Sequence, residues 1–483
     1  MSKIVKVSPK TMLHELSAVD LGDDRRKERL LELIQLAALH PDGSIRAMCE
    51  EDSQYEGAHR LLRNPRFEWT DILEPHIEQT AERARKIKRV LVLNDTTKFK
   101  LPDTADMESY LNTGKKGFLG HFALAVDGHS KRKALGVVGA QLVFRQNKKS
   151  RTKTKSGRRM NGAETAKLKN KEYDRWYKVF EQSHERLSEC DEVIHVMDRE
   201  GDCFGLMADI NQAGSKFVVR WCRERKARLA HDEAGNWGVL SELLQNAKTS
   251  KLKREVPIEA RKAKTAPAAA KRNPARDRRT ARLQMSRLEV VLKRPPTLGS
   301  DYPAELKVNV VRVWEPRPPE GQKPVSWILL TNLSVQNSLE AEQIVDIYCE
   351  RWLIEEFFQA LKTGCSYKKR QLTNRQSILN TMAMLLPIAW RGLLLRNLAR
   401  AKASCPASEI LEPDEEQALR AKAHTMRRKV PKRMTAADAL DVIAAIGGHK
   451  RYGRPPGWKV LMRGVERFEI LYEGWALASG VKK

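Results

Sequence analysis

The 483-residue chain predicts a mixed α/β fold, in which a central mixed sheet is extended by a β-rich insertion and flanked on both sides by helical segments. Three observations carry that prediction. Two apolar runs, at 89–93 and 193–197, read as buried strands, and each ends on an aspartate. The stretch YCERWLIEEFFQALK, Tyr348–Lys362, has neither glycine nor proline before Gly364 and reads as a helix with a glycine stop. From about 221 to 326, strand-like runs such as SRLEVVLK and ELKVNVVRVWE alternate with basic, Pro/Ala-rich linkers.

Composition narrows the partners. Lys and Arg total 89 against 61 Asp and Glu, a formal net charge of +28. That imbalance suits a polyanion, nucleic acid first and an anionic membrane surface second. Seven cysteines form no CxxC pair and no cluster with histidine, which favours a reducing compartment and argues against structural zinc. The N-terminus lacks the apolar core of a signal peptide, and the run Gln376–Trp390 is shorter than the roughly 20 residues a bilayer span needs. The expectation is a soluble cytoplasmic protein with no membrane partner.

Taken in order, residues 1–85 read as helical, with Asp20 and Asp23 as caps and Leu30, Leu31, Leu33, Ile34 and Leu36 at helical spacing. Arg25, Arg26, Arg60 and Arg63 in this region are either ordinary surface charge or cations laid on phosphates and base edges. The first strand then leads to Asp95. Two more strands are expected at 121–129 and 135–145, with Asp127 a turn residue between them and Gly114–Gly120 a flexible loop before them. Residues 145–159 hold eight cations and no acid, too polar to pack and suited to phosphate.

A helix within 164–187 precedes the strand that ends at Asp198. His195 on that strand reads as a core histidine, and of the acids in DREGD only Asp198 sits where the strand stops. The strand FVVR ends at Arg220, and Trp327 opens the last strand before a helix expected over 338–363. The remainder is helical. The expected division is 1–85, 86–365 with the insertion at about 221–326, and 366–483.

On a wheel of about 100° per residue, Tyr348, Arg351, Glu355 and Lys362 share an arc of about 60°, while Ile354, Phe357 and Leu361 form a core stripe. Glu356 falls roughly 100° from Glu355. Two aspartates at strand ends and a glutamate from a helix across them match the acidic site of an RNase H-like core. Carboxylates of that kind suit a pair of Mg²⁺ ions, with Mn²⁺ a substitute. Tyr348, Arg351 and Lys362 beside the acid either hold phosphates or pair with core acids.

The spacing Y-x-x-R-x-x-x-E-x-x-x-x-x-x-K of Tyr348, Arg351, Glu355 and Lys362 resembles the signature of the insertion-sequence-four family of bacterial cut-and-paste DDE transposases. LNDTT, MDREGD and WILLT add to the resemblance, which runs from about residue 20 to 475. It implies Asp95, Asp198 and Glu355 as catalytic metal ligands in an RNase H-like core with a β insertion, and an N-terminal domain that binds DNA ends. It also implies C-terminal helices that pair two copies, and double-stranded DNA partners, both transposon terminal repeats and target, in a homodimeric synaptic complex. Trp327 matches the residue that holds a flipped base during hairpin formation, although an indole there is otherwise core packing. Arg220 matches a basic position near the site. Two other classes stay open: an RNase H-like nuclease without strand transfer, and a domesticated DNA-binding protein without catalysis.

Overall fold

The computed structural model describes residues 7, 11–146, 173–232, 235–247, 249–251, 256–258, 275–370, 372–400, 405–450 and 456–480. Most of the basic stretches at 145–159 and 261–282 lies outside them, as does the start of the helix expected from 164. Five helices come first: α1 (Thr11–Leu16), α2 (Asp24–Leu39), α3 (Ile45–Met48), α4 (Asp52–Leu62) and α5 (Trp69–Arg85). Asp23 caps α2 by accepting from the Arg25 N–H, as its position predicts.

The sheet follows, with β1 (Val90–Lys100), β2 (Gly117–Asp127), β3 (Ala134–Val143), α6 (Asp174–Arg186), β4 (Val193–Met197), α7 (Phe204–Gln212) and β5 (Lys216–Arg220). Its order at this end is β3-β2-β1-β4-β5. β1, β2 and β3 form an antiparallel meander, while β4 and β5 run parallel to β1. This is the strand order of an RNase H-like core.

Most of the insertion's strands join the core sheet. Strands β6 (Lys226–Leu229), β7 (Gly238–Val239), β8 (Thr249–Lys251), β11 (Gln284–Lys293) and β12 (Glu305–Trp314) join β13 (Ser326–Thr331), which pairs antiparallel with β5. One eleven-stranded sheet therefore runs through core and insertion among the described residues. A separate pair, β9 (Val256–Ile258) and β10 (Arg279–Ala281), stands beside it.

Two expectations about strands change. β1 does not stop at Asp95 but continues to Lys100, because Thr97 and Phe99 still pair with Gly120 and Phe118 of β2. The loop expected over Gly114–Gly120 ends at Lys116, since Gly117–Gly120 is the start of β2. A Cβ on Gly117 would lie 2.2 Å from the Phe99 carbonyl oxygen, and one on Gly120 would lie 2.6 Å from the Phe122 ring. Glycine is needed there for close approach. Asp127 is the turn residue expected, accepting from the N–H groups of His129 and Ser130.

The region that carries Tyr348–Lys362 comprises α8 (Ser338–Glu350) and α9 (Trp352–Gln359), followed by a π turn at Ala360–Gly364. The single helix expected over 338–363 is thus tightened at Arg351, whose N–H bonds back to Tyr348, and widened after Gln359. Ile354, Phe357 and Leu361 are fully buried, as their stripe predicts, and Leu353 is buried with them.

Beyond it lie α10 (Arg375–Arg400), α11 (Pro413–Thr425), α12 (Ala436–Ile446) and α13 (Trp458–Ala478). α10 is long and apolar enough to cross a membrane, yet the whole of its apolar window is buried inside the fold. It packs against α2, α4 and α5 on one side and α12 and α13 on another. A helix apolar all round needs such a sheath. The N-terminal helices, the helix-facing side of β1–β3 and the C-terminal helices therefore share one hydrophobic core.

A buried ionic cluster fastens this joint. Arg83 donates to both carboxylate oxygens of Glu15 at 2.8 Å and to the Leu135 carbonyl on β3. His76 bonds Glu15 through Nδ1 at 2.5 Å, and its Nε2 accepts from the Val137 N–H. Although burial raises the Glu15 pKa, His76 and Arg83 bring it below its ordinary value. Gly136 lies alongside, where a Cβ would meet Thr80 Oγ1 at 2.0 Å. Arg83→Ala should remove about 3–5 kcal/mol of stability by leaving Glu15 buried beside a neutral imidazole. Urea unfolding of the whole chain measures it.

Candidate active site

The site begins with a register. β1 and β4 pair in parallel with Leu93 beside Val196 and Asn94 beside Met197. The next step along both strands brings Asp95 beside Asp198, where the parallel pairing ends. Leu91, Leu93, Ile194 and Val196 lie in the core under α9, so the period of two turns both aspartates toward that helix. Asp198 also caps a short 3₁₀ turn, accepting from the Glu200 N–H at 2.8 Å, and Asp95 accepts from the Thr96 N–H at 2.7 Å.

Across this edge runs α9. Arg351 reaches down from the tight turn at its start and donates to Asp95 at 3.1 Å and to Glu355 at 2.6 Å. Burial pushes the Asp95 pKa up to about 7, with Asp198 and Glu355 adding to the rise and Arg351 opposing it. Burial disfavours the Arg351 charge, but Tyr348, Asp95 and Glu355 more than compensate and raise its pKa. Among the described residues no three His, Cys, Asp or Glu side chains converge as a ready cation site. The guanidinium lies between two of the carboxylates instead. These acids still suit a hard divalent cation, because their oxygens attract one cationic group already and Asp95 remains under-compensated.

Lys362 shares the face that the wheel gave it. It donates to Thr97 Oγ1 and sits 5.2 Å from the Phe99 ring centre, two and four residues along β1 from Asp95. Asp95, Thr97, Glu355, Phe358 and Lys362 line one open cleft of about 360 Å³. On the other side of Arg351, the pairing of β5 with β13 sets Arg220 beside Leu329. Trp327 is on the same face of β13, with its ring 5.6 Å from that of Tyr348. Arg220 donates to the Ser326 carbonyl, and its pKa is lowered by burial and by Arg199 and Arg351, with Tyr348 opposing. Arg351, Glu355 and Lys362 thus gather at Asp95 and its strand, and Tyr348 continues the group from Arg351 to Arg220 and Trp327.

The N-terminal arginines lie apart on α2, α4 and the residue that follows it. Arg25, Arg60 and Arg63 are exposed, whereas Arg26 is half-buried and donates to the Leu21 carbonyl at 2.6 Å, so it has a structural partner. Glu356 points away from the site, as the wheel requires. It is buried and meets Arg132 at 2.7 Å, with Arg396 and Arg400 at 3.3 Å. His195 is buried against Phe180, but its Nε2 has no hydrogen-bond partner among the described residues.

Sequence reasoning passed over three features. Asp202 is fully buried, paired with Arg225 at 2.5 Å and accepting from the N–H groups of Cys222 and Arg223, so it ties the loop after β5 to the loop after β4. Trp352 is half exposed on the helix beside Arg351, and its place next to the signature residues was the available signal. Arg175 reaches the residues after both aspartates, which no local pattern reveals.

Comparison with known proteins agrees with this geometry. Residues 11–67 match the family described as Transposase DNA-binding, and residues 88–390 match the Transposase DDE domain. Among solved structures, the chain resembles the piggyBac transposase in its synaptic complex with hairpin DNA, determined by cryo-EM. That likeness has a TM-score of 0.34 at 11% identity, covers 100% of this chain and 80% of the other, and is too distant to argue from. The DDE-domain match, by contrast, takes in well over half of the sequence and both strands, the helix and the acids just described, and by it the chain belongs to the DDE transposases.

Proposed function

We propose that this transposase moves DNA by cutting and pasting. It nicks each transposon end to free a 3′-hydroxyl, lets that hydroxyl attack the opposite strand to form a hairpin, opens the hairpin, and joins the ends to target DNA. The observation that carries the reading is Asp95 next to its register neighbour Asp198, with Arg351 joining Asp95 to Glu355 on the helix that leads on to Lys362. Asp95, Asp198 and Glu355 would hold two Mg²⁺ ions, or Mn²⁺ in their place, which when bound stabilise charge on the attacking and leaving oxygens.

The chain's own residues do the rest. Arg351 bridges the carboxylates when DNA is absent and takes a phosphate oxygen of the cleaved strand when DNA enters, a fork-to-oxyanion contact that guanidinium favours. Lys362 and Arg220 flank it and fix the strand on either side, with Tyr348 between Arg220 and Arg351. Arg25, Arg60 and Arg63 face solvent on the N-terminal helices and suit end binding. A second copy of the chain completes the synaptic complex. Ile470, Leu471 and Leu477 are exposed on α13 and supply an apolar face for it.

Asp95→Ala, Asp198→Ala and Glu355→Ala should each abolish metal-dependent cleavage of end DNA and leave gel-shift binding largely intact. Glu356→Ala is the contrasting variant. Because its loss strands three arginines in and near the core, it should cost about 3–5 kcal/mol of stability. Glu355→Ala should cost far less. Cleavage by a well-folded Glu355→Ala protein would overturn the reading.

The Trp327 indole lies half-buried against Tyr348. A hairpin bends too tightly to keep every base stacked, and stacking an extruded base on an aromatic face recovers about 1–3 kcal/mol. Trp327→Ala should therefore permit the first nick but slow hairpin formation, with Trp327→Phe restoring part of the rate. A denaturing gel over time separates nicked, hairpin and double-strand-cut products. Equal loss of nick and hairpin with binding retained would remove Trp327 from this role.

A further inference from the structure

Behind the sheet, on the side opposite α9, one guanidinium touches both the strand that carries Asp95 and the 3₁₀ turn that Asp198 caps. Arg175 stands in the first turn of α6 and is 8% exposed. Its Nε donates to Thr96 Oγ1 at 3.0 Å, and a terminal nitrogen donates to Glu200 at 2.8 Å. Thr96 and Glu200 are not incidental partners. Thr96 gives its backbone N–H to Asp95, and Glu200 gives its backbone N–H to Asp198. Each aspartate is thus held by the main chain of a residue whose side chain Arg175 grips.

The grip is reinforced on the strand side. Thr96 sits opposite His121 in the β1–β2 pairing, and Thr96 Oγ1 is 2.9 Å from His121 Nδ1. Burial, with Arg175 nearby, holds the His121 pKa well below its usual value, so the ring is neutral. Arg175 donates to the Thr96 hydroxyl, which also hydrogen-bonds His121 Nδ1, so the threonine rotamer is fixed from two sides. The planar fork reaches both partners at once, which a lysine ammonium on a flexible stem does not reproduce.

We infer that Arg175 is a positioning residue: by joining Thr96 to Glu200 it sets the spacing and aim of the Asp95 and Asp198 carboxylates. The inference rests on the proposed role of those aspartates in holding divalent ions. Outer partners of metal-ligating groups commonly alter metal affinity about 10–100-fold when lost. Beyond stability, the effect should therefore appear in how tightly metal is held.

The test compares Arg175→Gln, Arg175→Lys and Glu200→Gln with the wild type. Two quantities are read. One is Mn²⁺ binding to the full chain by electron paramagnetic resonance, with and without duplex carrying the terminal repeat. The other is the Mg²⁺ concentration that gives half the maximal nicking rate. Arg175→Gln should weaken Mn²⁺ binding and raise the Mg²⁺ requirement about tenfold or more, with much of the rate regained at saturating metal. Arg175→Lys should stay close to it. Glu200→Gln should shift both readings in the same direction by a smaller factor, and because the Glu200 side chain is 60% exposed, that variant keeps its fold. Lower activity with unchanged metal affinity in the arginine variants would make Arg175 a merely structural residue. Should Arg175→Gln not fold, unchanged metal readings in Glu200→Gln would overturn the inference by themselves. A wild type that binds Mn²⁺ but never nicks end DNA would instead count against the proposed function, leaving the Mn²⁺ comparison to decide the role of Arg175.

Discussion

The parallel pairing of β1 with β4 is the constraint on which the site depends. Both strands are buried on both faces, so a slip of one residue would turn Leu91 and Leu93 away from α9 and bring Val90 and Val92 against it. It would also move one aspartate to the far side of the sheet. Packing therefore enforces the register, and the register makes two carboxylates 103 residues apart in sequence into neighbours. The crossover through α6 supplies the parallel return that such pairing requires.

Bringing acids together under a helix carries an electrostatic cost, and the burial of Asp95 shows how it is met. Its pKa, pushed up to about 7, records a charge that is poorly solvated and repelled by Asp198 and Glu355. Arg351 offsets part of this from within the same helix that carries Glu355. Arg351 stands where its N–H turns back to Tyr348, and from there it reaches Asp95 across the gap and Glu355 at the ordinary i, i+4 spacing of a helix. The site is thus partly neutralised by its own arginine.

How much of this was legible in the sequence varied with the range of the interaction. Periodicity found β4, the burial of Ile354, Phe357 and Leu361, and the divergence of Glu355 from Glu356, because those are properties of a few adjacent residues. It misread the end of β1, since an aspartate after VLVLN looks like a strand end until the β2 partner is known. Gly117 and Gly120 looked like flexibility because the Phe99 and Phe122 groups that exclude a Cβ are distant in sequence or orientation. Continuity of the insertion with the core sheet was hidden in the same way, being set by the β5–β13 pairing across more than a hundred residues. Arg175 could not be found from spacing, since its two partners lie on either side of it in the chain and meet only in three dimensions.

The same long-range logic bears on how the N-terminal helices relate to the catalytic sheet. A helix with apolar residues on every face, such as α10, can be read from composition as a core helix or as a membrane span. The choice is made by what surrounds it, and here α2, α4 and α5 cover one side while α12 and α13 cover another. Trp390 on α10 donates to the Ala134 carbonyl on β3, and the Arg83 guanidinium lies over that indole at 4.4 Å. Arg83 also holds Glu15 from α1 and the Leu135 carbonyl, so one buried cluster touches the N-terminal helices, the sheet and the C-terminal helices together. The helices bearing Arg25, Arg60 and Arg63 are consequently not tethered by a loose linker. They pack through α5 onto β3, and so join the sheet that carries Asp95 through continuous close-packed contacts.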